Sequence, residues 1–199
     1  YLILGDTTSD TPNLDGIMSD YGLKKVSGYI ADTQRCYQGN YYAIFPQLSL
    51  SGDLGSGISN QMVLLLNSPG MEKTDTDNDN LTVTPFMQTS DSGYAVTEND
   101  QTQGQYILGA VSTNAISADS SDSDSEDEDD KSDATDTDTK TARLTVLASA
   151  SMISSDITDQ LTTLDNLTLF VNSVTENFDN VNNVAIEAKS LSTETNTPM

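Results

Sequence analysis

Residues 117–140, "SADSSDSDSEDEDDKSDATDTDTK", set the strongest limit on how this chain folds. The stretch holds a large share of the chain's 31 acidic residues, and between Asp119 and Asp138 only one base, Lys131, stands against them. Its like charges repel and it offers almost no apolar side chain. Nothing therefore offsets the ~1–2 kcal/mol of backbone entropy lost for each residue ordered. The stretch reads as a disordered-type, solvated acidic loop inserted within a single domain spanning residues 1–199. Any core must be assembled from the sequence on either side. The run has calcium-type oxygen ligands in excess, but no glycine between Ser117 and Lys140 to set a binding turn. A diffuse cation atmosphere is the reading, not a site.

Removing that run leaves a chain that is still acidic, within a net charge of −23. Such a surface lacks the Lys and Arg clusters that phosphate binding requires, so nucleic acid is excluded as a partner. Docking on anionic lipid headgroups is opposed for the same reason. Composition also removes most catalytic chemistry. There is no His to serve as base for a Ser or Cys nucleophile, and one Cys with no His makes zinc improbable. Cys36 permits no internal disulfide. No phosphate-cradling glycine motif is present, since "SGDLGSGIS" lacks the strand, helix and Lys around it. No catalytic residue, metal or cofactor is assigned, and the chain is read as a non-enzyme. A hydrolase built on paired carboxylates stays as a minority idea that composition cannot single out.

The organisation is clearest at the two ends. "YLILG" is a continuous apolar run of the kind found in strands covered on both faces. "TPNLDGIMSDYGL" places Thr11 as N-cap, Pro12 at the first helical position, Leu14, Ile17, Met18 and Tyr21 at helical spacing, and Gly22 as terminator. "KVSGYIAD" follows as a strand. This βαβ opening predicts an α/β domain, a Rossmann-like mixed but mainly parallel sheet flanked by helices. The middle segments "YYAIF", "QMVLLLN", "LTVTPF", "GYAVT" and "QYILGAV" read as strands added antiparallel to that core. Near the end, "ARLTVLAS" reads as a strand. In "LDNLTLFVNSVTENF", Leu167, Phe170, Val171, Val174 and Phe178 share one helical face, with Asp165 or Asn166 placed to cap it.

Smaller features carry alternatives. "DTDNDN" alternates Asp75, Asp77 and Asp79 as in a calcium-binding loop. Asn80 then stands where Gly is needed and Phe86 where the bidentate Glu is needed, so a polar turn is read. "QRCYQGNYY" gathers Arg35, Tyr37, Tyr41 and Tyr42, suited either to stacking on a sugar or peptide or to cross-strand packing. Asn80 and Asn166 each begin an N-x-Thr sequon. Open parallel sheets bind ligands at the carboxyl ends of their strands, which nominates Asp6 and Thr7 after the first strand and Ser149 after the late one.

Several segments together resemble a known family. "PNLDGIMSDYGLKKVSGYIAD", "TPFMQTSDSGYAV", "ARLTVLASASMIS" and "LDNLTLFVNSVTENF" are similar to successive segments of the GldG-like auxiliary components of ABC-type transport systems. "VAIEAKSL" resembles the short strand that precedes a C-terminal membrane helix in that family. The resemblance implies a Rossmann-like domain on the extracytoplasmic face of a Gram-positive-like bacterial membrane, anchored through flanking helices of a longer protein. The opening on Tyr1 accords with an excised segment. The resemblance further implies an accessory role beside an ABC permease and ATPase. The Asp usual in that family after the late strand is replaced here by Ala148 and Ser149, and the acidic run is not part of the family pattern. The competing reading is a free-standing surface module that binds carbohydrate or peptide. If the run is a tolerated loop, deleting Asp119 to Asp138 leaves the melting temperature nearly unchanged and millimolar calcium shifts it little; a thermal melt with and without the ion checks both.

Overall fold

The computed structural model describes residues 1–5, 10–76, 78–116 and 140–177. Their elements in chain order begin β1 (Leu2–Leu4), α1 (Pro12–Asp20), β2 (Leu23–Val26), β3 (Tyr29–Asp32), β4 (Cys36–Tyr37), β5 (Asn40–Ile44) and β6 (Gln47–Leu48). Then come β7 (Leu65–Leu66), β8 (Gly70–Lys73), β9 (Leu81–Gln88), β10 (Gly93–Val96), β11 (Gln101–Gln103), β12 (Ile107–Ile116) and β13 (Lys140–Leu147). A short α2 (Ser155–Thr158) and the longer α3 (Asn166–Thr175) close the described chain.

The opening elements form where their residues placed them. Pro12 starts α1 after Thr11, and Gly22 follows its end at φ +73°. What does not form is the Rossmann-like, mainly parallel sheet. β1 pairs in parallel with β13, and every other strand pair among the described residues is antiparallel. The main sheet runs β1-β13-β12-β8-β2, with β9 beside β12 and β6 beside β9. β1 and β2 thus lie at opposite edges and point in opposite directions. Crossing between them covers about 19 Å at ~4.8 Å per strand. The nine residues of α1 are long enough for about 13 Å of that span. Helix α1 therefore carries the chain across the sheet rather than back along a neighbouring strand. A strand-helix-strand sequence specifies the elements and leaves their pairing open, and here β13 and β8 claim the edges that a crossover would have joined. The fold implied by the family resemblance is corrected in the same way.

The sheet's spine is β12 and β13, which pair in step from Gly109↔Leu147 to Ile116↔Lys140. The acidic stretch at 117–139, outside the described residues, joins strand ends that already face one another. β9 runs along the other side of β12, with a register shift between Gly109 and Ala110, opposite Pro85. Proline is tolerated there because it lacks a ladder donor only where pairing is already irregular. At the carboxyl ends of the parallel pair, Gly5 donates to Leu147 O at 2.8 Å. A Cβ at Gly5 would lie 2.6 Å from Ala148 O, so the close approach requires glycine.

"KVSGYIAD" is two strands in two sheets. Gly28, at φ +87°, turns the chain out of β2 into β3. β3 enters a second, antiparallel sheet in the order β11-β10-β3, and β4-β5-β7 make a third. The second sheet lays Ile30 and Ala95 on the main core beside Leu108, Phe86 and Met71.

Helices approach the main sheet from both faces. The Ser112 hydroxyl donates to Tyr21 O at the end of α1, at 2.8 Å. Thr145 bonds Asn177 beyond α3, at 3.0 Å. Ser112 and Thr145 occupy adjacent register rows, so their side chains leave opposite faces. α3 turns its apolar stripe inward only in part: Phe170 packs on the core and Val174 is half-buried, but Leu167 is 56% exposed and Val171 44%, while Asn166, Leu169, Asn172 and Ser173 are buried. Phe178 lies outside the described residues.

The reason is hydrogen bonding. Asn166 Nδ2 donates to Leu64 O and Met152 O, and its Oδ1 accepts from Leu64 N at 2.9 Å. Asn172 Nδ2 donates to Leu54 O and Ser56 O. These amides satisfy irregular backbone between residues 54 and 64 that no strand pairs, which an apolar face could not do. Asn166→Ala therefore lowers unfolding free energy by at least about 2 kcal/mol, whereas Leu167→Ser changes it by under about 0.5 kcal/mol; urea unfolding of the two variants reads the contrast.

Candidate functional site

Of the strand-end residues nominated from sequence, Asp6 and Thr7 lie outside the described residues. Ser149 is buried, and its hydroxyl accepts from Ser151 N at 3.2 Å and lies 2.7 Å from Ser151 Oγ, capping the turn at Ala150–Ile153. A hollow of about 120 Å³ does sit near the ends of β1 and β13. Its walls are mainly apolar, from Ile3, Leu14, Met18, Met71 and Val146, and Ser149 is not among them.

Two acids among the described residues are deeply buried, and both are held by backbone amides. Asp165 accepts from Ser59 N, Asn60 N and Met62 N at 3.0 to 3.4 Å. It stands at the N-cap position of α3 but spends its carboxylate on the 59–62 loop, leaving no cap bond. Asp32, fully buried, accepts from Ser90 N at 2.7 Å and from Ser90 Oγ, Gln34 N and Arg35 N at 2.9 Å each. Burial alone pushes the Asp32 carboxyl up, but the bonds from Ser90, Arg35 and Gln34 together outweigh it and hold the pKa below its ordinary 3.8.

These bonds decide where the "QRCYQGNYY" segment goes. Asp32 fixes the turn at 34–35, and Arg35 then donates from Nε to Phe45 O at 2.7 Å and from a terminal nitrogen to Pro46 O at 3.3 Å. Tyr37 packs edge-on against Phe45, ring centres 5.9 Å apart. Arg35 and Tyr37 are thus structural. Tyr41 and Tyr42 are not absorbed in this way, being 51% and 36% exposed. They form one wall of an open groove of about 320 Å³ that Tyr94, Thr33 and Gln101 complete. Tyr94 lies opposite Ala31 on β3 and Gln103 on β11, and Val96 opposite Tyr29 and Gln101. The outward face of the second sheet is therefore an aromatic and amide surface. Tyr94 was missed from the sequence because its partners are distant in the chain; the alternation in "GYAVT" is the signal that it faces away from Ala95.

A second groove, of about 380 Å³, separates β2 and β8 from β10 and β11. It holds Glu72 and Asp100, but Glu72 is paired with Lys24 at 3.4 Å and keeps 44% of its side chain exposed. Neither acid is withdrawn from water, which is what dividing acid and base roles between two carboxyls requires. Tyr106, on its wall, donates to Thr102 O at 2.8 Å; burial and then the Glu72 charge push its phenol above the ordinary 10.0.

Other candidates resolve simply. Asn78 and Asn80 belong to a local turn, Asn80 N donating to Asn78 Oδ1 at 3.0 Å. Asp77 lies outside the described residues. Asn166 is too buried to accept a glycan, while Asn80 is exposed. Among the described residues no three metal-type side chains gather, and no helix is long and apolar enough to cross a membrane. Comparison with family models, with curated proteins and with solved structures finds no match.

Asp32 supplies the test of this geometry. Asp32→Ala strips acceptors from four donors and lowers stability by about 3 kcal/mol or more. Because the folded pKa is depressed, the carboxylate's contribution is complete above pH 3.8 and is lost as pH falls through the lower folded value. Asp32→Asn, which carries no ionisable group there, flattens that acid limb; urea midpoints measured from neutral pH downward give the comparison.

Proposed function

We propose that this chain is a non-catalytic, extracytoplasmic association domain, and that it binds its ligand through the tyrosine groove. The observation that carries this is the exposure of Tyr41 and Tyr42 beside Tyr94, next to an Arg35 and Tyr37 that are consumed by packing. Clustered exposed aromatics on a rigid sheet are the usual mark of a binding surface, since tyrosine supplies large contact area at low entropic cost. The ligand class is carbohydrate or peptide.

Placement outside the membrane rests on the segment resemblance to GldG-like proteins. So does the narrower reading of an accessory subunit partnered by an ABC permease and ATPase. That reading is secondary, because the fold the resemblance implied is not the one adopted. Affinity purification from native membranes tests it, and recovery of the protein alone removes it.

The groove reading predicts signals on a combined glycan and peptide array. Tyr41→Ala removes them while leaving the melting temperature within about 2 °C, as for a surface substitution. A blank array for the unaltered protein overturns the reading.

A further inference from the structure

The chemistry lining the groove narrows its ligand. Thr33, Tyr41, Tyr42, Tyr94 and Gln101 end in hydroxyls or an amide, and no Lys, Arg, Asp or Glu is among the walls. This neutrality stands out in a chain with 31 acids. Hydroxyls and amides both donate and accept, so they match a ligand whose polar groups do both at closely spaced positions. The register sets the floor, with Tyr94 beside the small Ala31 and Val96 beside Tyr29. An aromatic and apolar floor edged by amphoteric groups suits a ring with C–H bonds on its face and hydroxyls at its rim. The volume, about 320 Å³, is at the lower end of the ~300–1,000 Å³ of small-ligand sites.

We infer that the groove binds a neutral oligosaccharide, its sugar rings lying on Tyr41, Tyr42 and Tyr94 and its hydroxyls exchanging hydrogen bonds with Thr33 and Gln101. The inference rests on the groove being the binding surface. Acidic sugars are disfavoured because the surrounding chain carries a net charge of −23 and the groove has no base to hold a carboxylate. A proline-rich peptide is the competitor, since aromatic grooves also hold such chains. It is disfavoured because prolines lack backbone donors, which would leave the acceptor capacity of the tyrosine and threonine hydroxyls unused.

The absence of Trp makes the test direct, because the eight tyrosines are then the fluorophores. The full chain is titrated with cellohexaose, maltohexaose, mannohexaose and chitohexaose, with polygalacturonate as the acidic sugar and decaproline as the peptide. The expected result is a saturable change in tyrosine emission with at least one neutral hexasaccharide. It is weakened about tenfold in Tyr41→Ala and retained in Tyr41→Phe, which keeps the ring. Tyr37→Phe, outside the groove, leaves affinity unchanged. Because Tyr41 is half-exposed, its replacement does not perturb the core. Saturation by decaproline alone overturns the sugar assignment and leaves the groove reading standing. Binding of polygalacturonate as tight as that of the neutral sugars overturns neutrality. No response to any probe overturns the sugar assignment, and the reading beneath it falls with it only when the glycan and peptide array is blank as well.

Discussion

The Asp32 carboxylate is the interaction on which the arrangement around the groove depends. It sits at the end of β3 and takes four hydrogen bonds from two separate stretches, Ser90 before β10 and the Gln34–Arg35 turn before β4. One anion thus ties the second sheet to the segment that carries the tyrosines. A buried carboxylate is tolerable only when its acceptor sites are filled, and four donors at 2.7 to 2.9 Å fill them. The consequence reaches outward. With the 34–35 turn fixed, Arg35 can strap Phe45 and Pro46, and the hairpin of β4 and β5 leaves with Tyr41 and Tyr42 on the groove side.

The same device recurs at Asp165 and Asn166, and it explains why helical amphipathicity misdirects here. The stripe Leu167, Phe170, Val171, Val174 is a real periodicity, and burying it would be favourable by about 25 cal/mol per Å². Against that stands the irregular backbone at 54–64, whose unpaired amides and carbonyls would each be left unsatisfied beneath an apolar face. Three polar side chains, Asp165, Asn166 and Asn172, meet seven of those backbone groups, with Met152 O in addition. Satisfying several buried polar groups at ~1–3 kcal/mol apiece outweighs the exposure of two side chains. Hydrophobic period alone carries no information about such a demand, because it arises from a loop a hundred residues away.

Local signals were legible and pairing was not. Pro12 and Gly22 bound α1 because their backbone constraints act within a turn, and "YLILG", "ARLTVLAS" and "GYAVT" are strands because their apolar spacing is local. Which strand lies beside which is decided by contacts such as Leu2↔Thr145 and Ile107↔Met71, and nothing in either residue announces its partner. The parallel-sheet expectation failed at that step. "KVSGYIAD" shows the smaller version: Gly28 was visible, yet the left-handed turn it makes between two sheets depends on β10 being available to pair with β3. In the groove, Tyr41 and Tyr42 were legible as a cluster with two possible fates, and the choice between them was set by Arg35 and Asp32. Tyr94 entered only through register.

The second sheet explains why an aromatic surface persists on so acidic a chain. A three-stranded sheet of short strands is marginal by itself and needs one face packed. Ile30 and Ala95 supply that face by entering the main core, so Tyr29, Ala31, Tyr94 and Val96 take the opposite face, where Ala31 is buried and the other three reach solvent. Charges at those positions would be solvated at no loss to folding, as they are over much of this surface. Tyrosines there add nothing to the core and expose apolar area, so packing gives no reason for them. Their backbone is fixed from beneath by the core and from the side by Asp32, which lowers the ordering entropy that a ligand would otherwise have to overcome. A preorganised floor, neutral walls and rings that folding does not use are together the features of a surface shaped for contact with something outside the chain.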